Sequence, residues 1–79
     1  SYRGLNHINL CEMKFSQSEF TIDKAYAAAL ENKKDVFIRQ TKTKKSIFLT
    51  FITTFGITSN EYGKRMIQNA ITMDALFEQ

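Results

Sequence analysis

The sequence predicts an α/β fold built on a βαβ unit with parallel strands, and three stretches carry that prediction. Residues 7–15 (HINLCEMKF) mix apolar and polar residues in short alternation. Residues 22–40 are Ala-rich, with apolar residues at helical spacing, and residues 46–56 (SIFLTFITTFG) are β-branched and aromatic on both faces. Strand, helix and apolar strand in succession imply a crossover that leaves the two strands parallel. A further strand and a short C-terminal helix complete the expectation, as one domain over residues 1–79.

In the first strand, Ile8, Leu10, Glu12 and Lys14 share one face and Asn9, Cys11, Met13 and Phe15 the other. The pattern reads as an inner strand with two charges at its carboxyl end. Thr21 is the expected N-cap of the helix, with Asp23 in its first turn. Ile22, Tyr26, Ala29, Leu30, Val36 and Phe37 recur at helical spacing, and Asp35 and Arg39, four apart, suit an exposed ion pair. Small polar and charged residues at 41–45 end the helix. The apolar stretch that follows is expected to be a buried central strand ending near Gly56. ITSNEYG then reads as a loop, Lys64 to Ile71 as a weaker strand, and Thr72 with Asp74 as the cap of a short helix through Phe77. Tyr26, Phe37, Phe48, Phe51 and Phe55 are assigned to the core, Cys11 to a small buried hydrophobe, and His7 to strand entry.

With 43% apolar and 24% charged residues and no Pro or Trp, the chain has the composition of a folded domain rather than a disordered one. At 79 residues its core alone is marginal, so a partner or further sequence is expected. A single cysteine cannot close an internal disulfide, which fits a reducing cytoplasm. No signal peptide is recognisable, and the apolar run 47–57 is too short and too Thr-rich to span a bilayer. The expectation is a soluble protein with no membrane contact. Net charge is +3, and much of the excess sits in Arg39, Lys42, Lys44 and Lys45, preceded by Lys33 and Lys34. Such a cluster complements a helix C-terminus and a solvated turn; Lys42, Lys44 and Lys45 are also the candidates for nucleic-acid contact.

Glu12 and Lys14 are the candidate chemical pair. Two apart on a strand, they emerge side by side. Phosphodiester cleavage needs a carboxylate to hold Mg²⁺ and a cation to orient the attacking water or offset developing negative charge. An E-x-K step supplies both, and the Met13 backbone carbonyl is a further candidate metal ligand. A bare Glu-x-Lys tripeptide reads as a solvated ion pair; what adds weight here is its place at the end of a strand that leads through a helix into an apolar strand. Lys24, near the start of the helix over this strand, reads as an exposed lysine with a phosphate in reach as the sharper option.

INLCEMKFSQSEFTIDKAYAAAL, KKSIFLTFITTFGITSNEY and NAITMDALF together resemble the closing portion of the PD-(D/E)xK nuclease-like domain at the C-terminus of archaeal-type P-loop ATPases, including bacterial members. The resemblance covers about residues 7–78. It implies a restriction-endonuclease-like core, N-terminally truncated, with Glu12 and Lys14 at the family's E-x-K. It also implies an acid on a preceding strand, and residues 1–11 contain no Asp or Glu. No G-x-x-x-x-G-K-[ST] occurs either, so the ATPase part is absent from the chain. Mg²⁺ is accordingly expected only in the intact domain, and the 79-residue chain is expected to be inactive. Expected partners are DNA, the parent's own ATPase domain, and a second copy through the exposed edge of the first strand. The alternatives are a non-catalytic oligomerisation or regulatory module, or nucleic-acid binding without cleavage.

Overall fold

A computed structural model describes residues 6–74. The elements follow in the order β1 (His7–Lys14), α1 (Lys24–Thr41), β2 (Ser46–Thr53), α2 (Glu61–Met66) and β3 (Asn69–Thr72). β1 pairs with β2 and β2 with β3, both in parallel, giving one sheet of order β1-β2-β3. The α/β class and the parallel βαβ unit are as expected, and β2 is the central strand.

The reason β2 sits in the middle is visible in its sequence, since a strand paired on both sides must tolerate burial along its length. Leu49, Phe51 and Thr53 turn toward α1 and are buried, Phe51 completely. Burying a side chain of that size stabilises by roughly 1.5–3 kcal/mol. Ile22, Ala27 and Leu30 meet them, and Leu10, Phe20, Tyr26 and Ile57 pack around this cluster. Beyond the strands, Phe20 and Ile57 form one more parallel bridge, Phe20 N–H donating to the Gly56 carbonyl and Thr58 N–H to that of Phe20, each at 2.9 Å. Gly56 lies at φ 94°, a region open to glycine, and so permits the turn after β2.

Several expectations are corrected. β1 lies at the edge of the described sheet, which agrees with the exposed edge expected of the first strand but not with the inner-strand reading of its pattern, and its Asn9, Cys11 and Met13 face is exposed. Cys11 is therefore exposed rather than buried. The N-cap of α1 is Asp23, whose Oδ1 accepts from Tyr26 N–H at 2.8 Å. Thr21 instead shares a hydrogen bond between its Oγ1 and that of Thr58 at 3.0 Å. The region read as a loop and then a strand from Lys64 opens with α2, capped by Asn60 through Gly63 N–H at 2.8 Å, which leaves only Asn69–Thr72 as strand. Asp35 and Arg39 make no ion pair; among the described residues the salt bridge is Lys33–Glu12. Phe55 is 56% exposed because β2 ends at Thr53, and Phe37 and Phe48 are half-buried. The expected helix through Phe77 falls largely outside the described residues. Among those residues, no helix is long and apolar enough to cross a membrane.

Candidate functional site

β1 delivers Glu12 and Lys14 to the face that α1 covers, because strand residues two apart share a side. Glu12 stands opposite Phe51 and Lys14 opposite Thr53 on β2. The two do not pair with each other. Glu12 Oε2 accepts from Lys33 Nζ of α1 at 2.8 Å, with the side chains 23% and 62% exposed respectively. Lys14 Nζ lies 5.3 Å from the ring centroid of Tyr26 and 5.8 Å from that of Phe20. Those rings meet edge to face at 5.2 Å, and both pack against Phe51. An ammonium over such rings gains about 0.5–2 kcal/mol, so an aromatic floor holds Lys14 beside the acid.

Charge links the members of this cluster. Partial burial pushes the Tyr26 phenol above its ordinary value, the Glu12 carboxylate adds to the rise, and Lys33 opposes it. The hydrogen bond to Glu12, reinforced by its charge, holds the Lys33 ammonium above its ordinary value. One carboxylate against two ammonium groups leaves an excess positive charge at neutral pH, suited to an anionic oxygen such as that of a phosphate ester. The residues present do not by themselves fit Mg²⁺. The cluster contains one carboxylate, one of whose oxygens is engaged by Lys33, and two cations that repel a dication. Among the described residues no group of three or more His, Cys, Asp or Glu is placed to hold a metal. The Met13 side chain lies on the opposite face of β1, 50% exposed, so only its backbone carbonyl remains as a candidate ligand.

No family model, curated protein or solved structure matches the chain.

The other nominated residues lie apart from the cluster. Lys42 ends α1 in the left-handed region, φ 56°, its N–H donating to the Ile38 carbonyl at 2.8 Å, and Lys44 and Lys45 are exposed in the connector to β2. That connector enters β2 at Ser46, level with His7, whereas Glu12 stands level with Phe51. Five residue steps along a strand are roughly 17 Å. Lys24 opens α1 and lines a groove of 470 Å³ between the helices with Glu31, Glu61, Tyr62 and Arg65. Neither Glu12 nor Lys14 borders it. His7 stacks on Phe48 at 4.6 Å, which matches a strand-entry role.

Sequence reasoning missed Lys33 and Tyr26 as members of the site. A signal was available, because Tyr26, Leu30, Lys33 and Phe37 fall on one helical stripe. A lysine on an apolar stripe asks for a partner on the strand beneath it.

Proposed function

We propose that the chain is the closing part of a PD-(D/E)xK nuclease-like domain, resembling the one carried by archaeal-type ATPases, and that alone it contacts phosphate without cleaving it. The observation that supports this reading is the placement of Glu12 and Lys14 on one helix-covered face, near the carboxyl end of a strand whose crossover leads to a parallel neighbour. In an intact domain Glu12 would be one of at least two acids needed to hold Mg²⁺, and Lys14 would offset charge at the phosphate. The second acid comes from a preceding strand. In this chain the lone carboxylate, neutralised by Lys33, is too poor a ligand set for catalysis. DNA and the ATPase part of the parent are the partners, in the cytoplasm.

The Lys33–Glu12 contact favours a second reading. A carboxylate committed to a structural ion pair suits a non-catalytic module that kept the fold for regulating its ATPase.

The assay is incubation of plasmid and single-stranded DNA with the chain and Mg²⁺ or Mn²⁺, alongside Lys14→Ala. The expected result is no cleavage by either. Metal-dependent cleavage that disappears in Lys14→Ala overturns the inactivity. A chain extended upstream that carries an acid on the preceding strand, and cleaves only while Glu12 and Lys14 are intact, supports the nuclease reading. An extended chain with an apolar or small residue at that position sends the function to the interaction module.

A further inference from the structure

Glu12 and Lys33 meet across the seam between β1 and α1, and among the described residues no other charged group pairs with either. The surroundings of the carboxylate are few. Lys14 neighbours it on β1 but rests over the Tyr26 and Phe20 rings, Tyr26 faces it from α1, and the residue opposite on β2 is Phe51. Lys33 is thus the cation in contact with Glu12, and the two partners differ in freedom. Glu12 is held between strand and helix, whereas the Lys33 side chain is 62% exposed and its ammonium makes one hydrogen bond among the described residues. α1 does not need this contact in order to seat, because Ala27 and Leu30 already bury themselves against β2. Exposed ion pairs add little to stability. What the contact decides is which ions Glu12 can meet.

A divalent cation bonded to either oxygen of Glu12 would lie within roughly 7 Å of the Lys33 ammonium, given the 2.8 Å contact and metal–oxygen bonds of about 2 Å. Even at the dielectric constant of water, that repulsion weakens the cation's binding on the order of tenfold. An anion has the opposite effect. Phosphate oxygens are strong acceptors for an ammonium, which has three donors to offer. Lys33, exposed and on a flexible stem, can turn to such an oxygen, while Lys14 stays over its rings beside the acid.

We propose that Lys33 is a latch on Glu12 that phosphate opens. Without phosphate the ammonium closes the carboxylate to divalent cations, and a phosphate that takes the ammonium frees it. Phosphate and a divalent cation then favour each other's binding, by the same factor in each direction. The latch rests on the reading that this cluster contacts phosphate, and it holds whether or not an intact domain cleaves.

The experiment follows the broadening by Mn²⁺ of the backbone amide signals around Glu12, in the unaltered chain and in Lys33→Gln. The amides of Glu19 and Glu61, both exposed and neither paired with a lysine, serve as internal references. Lys33→Gln should broaden at about tenfold lower Mn²⁺ concentration, and Lys33→Arg, which keeps the charge, should match the unaltered chain. Saturating dimethyl phosphate, a diester that itself takes up Mn²⁺ poorly, should move the unaltered chain about fivefold toward the variant and leave Lys33→Gln where it was. Lys33→Met is a second neutral variant, and the native circular dichroism spectrum checks the fold of each. Equal Mn²⁺ profiles for the unaltered chain and the neutral variants overturn the proposal and leave the contact a structural ion pair. A dimethyl phosphate effect of the same size in all of them overturns it too, since Lys33 then plays no part. Dimethyl phosphate that moves the Lys14 signals but not the Mn²⁺ profile overturns the latch and leaves the phosphate reading standing. If it moves neither, both fall.

Discussion

Tyr26 stands where the aromatic floor under Lys14 meets the Glu12–Lys33 pair, so its phenol reads the charge of the site. Partial burial and the Glu12 carboxylate both oppose ionisation, and Lys33 favours it. The phenol therefore titrates above 10.0, and carbon-13 NMR of the labelled tyrosines, assigned with Tyr26→Phe, measures it. Glu12→Gln should lower the midpoint and Lys33→Gln should raise it further. No change in either variant would dissolve the cluster as an electrostatic unit. The consequence for stability has a definite sign. A group whose folded pKa is raised binds its proton more tightly when folded, so its contribution is complete below pH 10 and is lost as pH rises through the folded value. Lys33, also raised, acts in the same direction as pH rises through its own folded value. Of this residue-scale picture, the common face of Glu12 and Lys14 was legible from strand alternation. The partner of Glu12 was not, because Lys33 lies 21 residues away and reaches it only once α1 seats on β1.

Each helix begins at a side chain that accepts from its third N–H, Asp23 for α1 and Asn60 for α2. Asp23→Ala should cost about 0.5–2 kcal/mol in urea unfolding. Thr21→Ala, which loses only an exposed hydroxyl contact to Thr58, should cost less. The reverse order would make Thr21 the true cap. Thr21 and Asp23 are both good capping residues, and local pattern alone does not decide between them. The decision is tertiary, since the Phe20–Ile57 bridge draws the preceding residues into the sheet and postpones the helix. α1 and β2 were readable because each repeats its apolar period over several turns or pleats. α2 has six residues and buries only Gly63 and Met66, too little repetition for a period to show. Its position is fixed from outside, by Asn60 Nδ2 donating to the Ile22 carbonyl at 3.1 Å. β3 is similarly brief, and Gln68 starts it by binding Leu49 through both its side chain and its main chain.

Across the whole molecule the two nominated phosphate-binding regions are separated by the length of the sheet. Lys42, Lys44 and Lys45 gather where the chain enters β2, and Glu12, Lys14 and Lys33 lie toward the exit of β1. At roughly 17 Å apart they cannot grip one phosphate, but a single strand of nucleic acid can span both. Composition and spacing made the cations visible in the sequence. Their distance from the E-x-K pair needed the parallel register, which puts Ser46 beside His7. If DNA binds at the connector, affinity must fall with salt, because each neutralised phosphate releases counterions. Replacing Lys42 by Asn, which accepts the left-handed conformation at φ 56°, and Lys44 and Lys45 by Gln removes three charges without disturbing the cap. Fluorescence anisotropy with single-stranded DNA should then show the salt slope reduced by about two, whereas Glu12→Gln should leave the slope at the connector unchanged. Binding that ignores salt, or a triple variant that binds as the parent does, would take the connector out of any nucleic-acid role and leave its lysines as the cationic finish of a helix C-terminus.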